Sequence, residues 1–236
     1  MTRSSQSPGN SAGEKSPLTR KEKAEATRRR IIAAAYDSFC SRGYAGTTMK
    51  SVAAASAVAV QTIYFVFHSK AELLDATILQ AAAGTPDHSP VMQRPWAVEA
   101  AETSDARRTI ALAVEYGVDI YVRVGPIARI MRVAAMSDTD VDVIWTRIAV
   151  NRKKGMRRLV EHLADLGALA DGVTVERGTD IFHAVNGHDV YIELVGQAGW
   201  PLRDFKRWLY ELMIKDLLSD TARQAPGNPL AGLSFA

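Results

Sequence analysis

Read from residue 19, apolar and polar positions recur with the spacing of helices rather than the alternation of strands. Thr19-Arg20-Lys21-Glu22 has capping-box spacing, and Ile31, Ala34, Ala35, Ser38 and Phe39 follow on one stripe. This predicts a helix from about residue 20 to Arg42-Gly43. Thr47-Thr48 caps a short second helix with Met49, Val52 and Ala53 inward. Ala57-Val58-Ala59 then connects to a third, about 60–67. Ser69-Lys70-Ala71-Glu72 opens a fourth, running to about Ala83. Residues 84–102, with Gly84, Pro86, Pro90 and Pro95, read as a linker or an irregular connection.

Beyond the linker the pattern predicts longer helices. One covers 103–124 and stops before Gly125-Pro126, and a short one covers 127–136. A long one, capped at Ser137-Asp138, reaches Leu166 with Val141, Trp145, Ile148, Met156, Leu159 and Leu163 on one side. Two more cover 174–197 and 202–219, the last with Leu202, Phe205, Trp208, Leu209, Leu212 and Leu217 on a stripe. The fold class is therefore all-α. The expected organisation is a disordered tail (1–18), a helix-turn-helix domain (19–68), a second helical domain (69–220) and a loose tail (221–236).

Two short helices joined tightly and followed by a capped helix describe a helix-turn-helix. On the third helix Ile63 and Phe67 share a face, which leaves Gln61, Thr62 and Phe65 outward and Val60 and Tyr64 at the edges. Gln can bond two edges of adenine, and Thr or an apolar side chain can pack on a thymine methyl. Val60, Gln61, Thr62 and Phe65 are thus the candidates for base edges in a major groove. Thr48, Lys50, Tyr64 and Lys70 are the candidates for phosphates, Lys70 at a helix N-terminus. Core packing is the alternative reading for Tyr64 and Phe65.

Charge sharpens the division. The net charge is only +3, but residues 1–70 carry 11 Lys+Arg against 4 Asp+Glu, while the remainder carries 18 against 22. A basic front suits a polyanion. A lone Cys40, on an apolar stripe, reads as a buried structural thiol and excludes an intrachain disulfide. The first residues lack an apolar h-region, and no apolar run reaches the roughly 18 residues that span a bilayer, so a cytoplasmic protein without a membrane partner is expected.

The stretch GYAGTTMKSVAAASAVAVQTIYFVFHSKAELL, residues 43–74, resembles the DNA-binding domain of TetR/AcrR-type transcriptional regulators. Gly43-Tyr44, Thr47-Thr48, Val52-Ala53, Val58, Thr62-Ile63-Tyr64, Phe67, Lys70 and Glu72-Leu73 carry the resemblance, which adds Thr47 to the DNA-contact candidates. Three positions depart from the family pattern: Ala57 where the turn usually has Gly, Ala59 where the third helix usually has a Ser or Thr cap, and Val66 where Tyr or His is common. Backbone contacts then shift towards Thr48, Tyr64, Lys70 and the first-helix residues Arg28, Arg29 and Arg30.

The resemblance implies a homodimer, paired through its last two helices, that binds a double-stranded DNA operator. It also implies a C-terminal domain in which a small molecule of unknown identity changes the separation of two reading heads, most often as a repressor. The aromatic, Met and polar residues of the middle helices, Tyr116, Tyr121, Met131, Trp145, Phe182, His183 and Asn186, suit such a pocket, with plain core packing as the alternative for each. Arg123, Arg129 and Arg132 lie in an apolar run and need partners, either a carboxylate elsewhere or an anionic ligand. His183 and His188 are spaced wrongly for a shared metal, and neither a phosphate loop nor a nucleophile elbow is present, so no cofactor or metal is expected. The rival is an all-α small-molecule-binding protein or enzyme without DNA function.

Overall fold

The computed structural model describes residues 19–84 and 91–236; the expected disordered tail, 1–18, lies outside them. The regular elements among the described residues are all helical; a lone antiparallel bridge joins Leu169 and Leu218. The all-α expectation holds.

The first four helices follow their sequence signals closely. Helix α1 (Arg20–Gly46) begins at Thr19, whose hydroxyl accepts from the Glu22 amide while the Glu22 carboxylate accepts from the Thr19 amide. It bends at Gly43, where φ is +70°. Helix α2 (Met49–Ala55) is capped by Thr48 and buries Met49, Val52 and Ala53, as expected. The chain leaves α2 through Ala57 at φ +53°, with the Val58 amide reaching back to the Ala53 carbonyl at 3.1 Å. That closure wants a left-handed residue, which explains the glycine common at this position in the resembling family. Helix α3 (Val60–Phe67) leaves at 114° to α2, with no side-chain cap at Ala59. Helix α4 (Lys70–Ala83), capped by Ser69 and ended by Gly84 at φ +65°, buries Leu73, Leu74, Thr77 and Ile78.

Three segments differ from the sequence-based expectation. Part of the 84–102 stretch is helical: Pro95 occupies the first turn of α5 (Pro95–Glu102), where its missing N–H costs no hydrogen bond. Helix α6 (Ala106–Ala135) runs unbroken through Gly125-Pro126. An interior proline costs about 3 kcal/mol, but Ile127 and Met131 are fully buried just beyond it, at about 1.5–3 kcal/mol each. Burial wins, and Pro126 turns its ring to solvent. Conversely, 174–197 is not one helix. Helix α8 (Val175–Val185) stops at Asn186 (φ −84°, ψ 67°) and Gly187, and a short α9 (His188–Tyr191) passes into a π-helical turn over Ile192–Gln197.

Helix α7 (Thr139–Asp165), capped by Asp138, and α10 (Leu202–Leu217) match their predicted stripes in part. Phe205, Leu209 and Leu217 are buried, while Trp208 and Leu212 are half-buried. Helix α6 forms the axis of the C-terminal domain, packed against α1, α4, α5, α7, α9 and α10.

The segment expected to be a loose tail is instead packed. After α11 (Asp220–Arg223), Leu233 and Phe235 enter the core. Arg207 donates to the Phe235 carbonyl at 2.7 Å, and Arg108 to those of Pro229 and Ala231 at 3.1 and 2.9 Å. Beneath lies the buried Lys206 ammonium, 3.1 Å from Glu115, 2.7 Å from Asp119 and 3.1 Å from the Ser234 hydroxyl. The partners that hold this aperiodic segment come from distant elements, so its own residues do not announce the packing. Cys40 is a second correction: its thiol is exposed, on the outer edge of the α1 stripe.

Relieving the left-handed strain at the turn gives a direct check. Ala57→Gly is expected to raise stability in urea unfolding by about 1 kcal/mol. An unchanged or lowered midpoint would show that the turn carries no such strain.

Candidate nucleic-acid interface

Helix α3 is fixed in rotation by two side chains. Ile63 and Phe67 are buried, and the Arg28 guanidinium lies 4.6 Å over the Phe67 ring. The opposite face is thereby forced outward. Phe65 is 84% exposed and Tyr64 50%, beside an exposed Gln61 and half-buried Val60 and Thr62. This is the phase expected from the sequence, and it removes the core-packing reading of Phe65.

The flanking polar residues divide. Thr48 and Lys50 are exposed. The Thr48 oxygen accepts from the Ser51 amide at 3.0 Å, which leaves its O–H to donate. Lys70 is tied down: its ammonium donates to the Tyr44 carbonyl at 3.0 Å and sits 4.0 Å over the Tyr44 ring. Arg30 donates through Nε to the Ser56 carbonyl at 2.8 Å, bracing the turn, while Arg29 is exposed. Thr47 is a correction. It is fully buried, and its hydroxyl donates within reach of the Ser38 and Gly43 carbonyls (2.9 and 2.8 Å), so it braces the bend in α1 and presents nothing to a ligand.

Besides the apolar packing of α1 and α4 on α6, polar contacts tie this N-terminal unit to the rest of the molecule at three places. The Tyr44 hydroxyl donates to Asp138 Oδ2 at 2.9 Å, while Asp138 Oδ1 caps α7. Burial and that carboxylate raise the Tyr44 pKa, so the phenol stays a donor. Arg147 of α7 pairs with Asp75 of α4 at 2.6 Å. Arg123 of α6, with Arg94, donates to the last carbonyls of α4 at Ala81 and Ala82. Arg123 thus meets a helix C-terminus, a partner that the sequence did not suggest. Arg132 pairs with Asp189, and Arg129 is exposed.

Of the candidates for a small-molecule pocket, several converge at the α8–α9 break. The Tyr121 hydroxyl donates to the Asn186 carbonyl at 2.6 Å, and Arg152 donates to the same oxygen at 3.1 Å. Asn186 and Phe182 are buried, His183 is adjacent, and Trp145 stands edge-on to His188 at 5.4 Å. Tyr116 instead stacks on Trp96 near the surface, and Met131 is plain core. Sequence reasoning misses Arg152, because a lone Arg on an amphipathic helix reads as a solvated face, and it weighs His188 only as a metal ligand. A separate open groove of about 640 Å³ lies between α1, α4 and α6, lined by Tyr36, Gln80, Val122 and Arg123 among others. It includes none of the pocket candidates.

Comparison with known proteins agrees with this geometry. Residues 31–77 match the family model described as bacterial regulatory proteins, tetR family. Residues 31–77 are thus similar to the DNA-binding domain of that family. Over 68 residues the chain is 43% identical to the HTH-type transcriptional regulator TtgR of Pseudomonas putida, a match covering 29% of this chain and 32% of that relative. The match thus spans about a third of the curated relative's length. Among solved structures, SmeT, described as the repressor of the Stenotrophomonas maltophilia multidrug efflux pump SmeDEF, aligns with a TM-score of 0.62 at 19% identity over 88% of this chain and 98% of that one. The regulator FadR from Bacillus subtilis, solved with stearoyl-CoA, aligns at 0.64 with 16% identity over 79% and 97%. At these identities the structures establish a shared TetR-type fold, a helix-turn-helix domain followed by a helical domain.

Two consequences are measurable. Thr47→Val removes a buried hydroxyl from two carbonyls and is expected to lower stability by about 1–3 kcal/mol while leaving the DNA affinity of the folded fraction unchanged; a selective loss of DNA affinity would restore Thr47 as a contact. Burial, with Arg152 and Lys153 nearby, pulls the His183 pKa below its usual 6.5 against the opposite pull of a hydrogen bond to the Ala149 backbone and of Asp180; burial, Arg152 and Arg132 do the same to His188 against Asp189. The unfolded chain therefore takes up these protons at higher pH than the folded one. Stability should fall as pH drops from about 7 towards 5. His183→Gln with His188→Gln should flatten that slope in urea titrations, and an unaltered slope would refute the assignment.

Proposed function

We propose that this protein is a TetR-type homodimeric, sequence-specific DNA-binding transcriptional regulator, a cytoplasmic repressor that a small-molecule effector releases from its operator. The observation that carries this reading is the α3 face. Gln61, Thr62, Tyr64 and Phe65 project from a helix that Ile63 and Phe67 lock in place. A large aromatic at 84% exposure has no role in the fold of one chain and suits apolar contact with base edges. Val60, Gln61, Thr62 and Phe65 would read bases. Thr48, Lys50 and Tyr64 would hold phosphates, while Lys70 would act chiefly by stiffening Tyr44.

The attachments described above support the release step. Helix α7 carries Asp138 and Arg147, which hold the N-terminal unit, and Arg152, which reaches the α8–α9 break. A ligand that binds one arrangement of α7 better than another would bias the orientation of α3, and only by that difference in affinity. The pairing surface is assigned to α8 and α10, with Trp208 and Leu212 half-buried along it.

Selection of duplexes from a random pool, followed by fluorescence anisotropy at two salt concentrations, tests the reading. Gln61→Ala is expected to relax preference at one base position per half-site. Lys50→Ala is expected to weaken all sequences alike and flatten the salt dependence. If selection enriched no sequence at all, the rival of a ligand-binding protein without DNA function would stand instead.

A further inference from the structure

From Ser51 to Phe67 the chain carries no charged residue, although this stretch holds most of α2, the turn and all of α3. A helix of this composition, laid in a major groove, has no guanidinium or ammonium to offer to guanine O6 and N7, the commonest specific contact to a base. The cations around it are engaged on the protein. Arg28 lies over the Phe67 ring, Arg30 donates to the Ser56 carbonyl, and Lys70 is held by the Tyr44 carbonyl and ring. His68, just past α3, pairs with Glu72 at 3.1 Å. Lys50 is exposed, but it belongs to the first turn of α2.

What α3 presents is one amide fork and apolar surface. Gln61 and Phe65 are both exposed. Four residues apart, they lie on the same side of the helix, about 6 Å from each other along its axis, or roughly two base-pair steps. The Gln61 amide matches adenine N6 and N7. Phe65 lies outside the apolar cluster of the folded chain and has no hydrogen-bonding group in its side chain. In the major groove the apolar feature of a base edge is the C5-methyl group of thymine. Thr62 and Val60, half-buried beside them, add methyl groups of their own.

We propose that α3 reads a half-site core of A·T pairs, with Gln61 on an adenine and Phe65 on a thymine methyl further along the groove, so that this methyl rather than a guanine edge decides the choice of operator. This rests on the DNA-binding reading above and names the bases that it recognises. The Phe65 ring, which the folded chain leaves in water, is withdrawn from it only when α3 enters the groove. Such a contact involves no counterion, so it is insensitive to salt, unlike the contact of Lys50 with a phosphate.

The test starts from the duplex that selection with the full-length protein enriches. Each thymine of one half-site is replaced in turn by deoxyuridine, which removes the methyl and keeps the O4 acceptor and the pairing. Affinity is read by fluorescence anisotropy at two salt concentrations. Replacement of one thymine is expected to weaken binding about four-fold, the effect of one methyl-sized group left in water, and equally at both salts. In Phe65→Ala the same replacement should cost nothing, and in Phe65→Leu part of the loss should remain. A selected half-site without A·T pairs, a duplex indifferent to deoxyuridine, or a Phe65→Ala protein that still distinguishes thymine from uracil would each overturn the inference while the regulator reading stands. If selection enriches no sequence, the regulator reading itself fails and the inference falls with it.

Discussion

The burial of α6 is the constraint on which the other elements depend. Of its 30 residues 17 are buried, and from Thr109 to Glu115 no position faces solvent. A helix enclosed on that many sides cannot be covered by one neighbour. It draws in α1 and α4 from one end of the chain, α5 and α7 from the middle, and α9 and α10 from the other end. Enclosure also explains its polar members. Glu115 sits against the Lys206 ammonium and accepts from the Ser234 hydroxyl, while Arg107 pairs with Asp105 and donates to the Pro226 carbonyl. Each of these buried charges is answered by a partner, as burial of charge requires, and most of the partners come from distant parts of the chain. The C-terminal segment is held as a consequence.

The N-terminal unit rests on this frame through both apolar and polar contacts. Its core residues Ile31, Phe39, Val52, Ile63 and Phe67 belong to one apolar cluster that continues through α1 and α4 into α6. Its attachments to α6 and α7 include discrete polar contacts at Tyr44, Asp75 and the carbonyl end of α4. Directional bonds of this type, individually worth about 1–3 kcal/mol, fix an orientation on top of the apolar packing of α1 and α4 on α6.

The α8–α9 break is a place where the body is left incomplete in hydrogen bonding. Tyr121 and Arg152 both satisfy the Asn186 carbonyl, yet the side chains around it stay unpaired. A π-helical turn follows within the same stretch.

The sequence by itself determined the helical class and the first four helices, because caps, stripes and glycine stops are local signals. It also set the outward face of α3, since Ile63 and Phe67 can share only one side of a helix. It misplaced what depends on distant partners. Pro126 reads as a stop, but the burial of Ile127 and Met131 carries α6 through it. Cys40 lies just off the buried stripe of α1, and Thr47 is buried because its hydroxyl bonds the Ser38 and Gly43 carbonyls across the bend, which its place in the sequence does not reveal. Lys70 and Arg123 found backbone carbonyls, which no side-chain pattern reveals. Arg152 became notable only when α7 met the broken end of α8. Helix periodicity records how a segment faces its neighbours, whereas the identity of the partner is settled only when segments far apart in the chain are packed together.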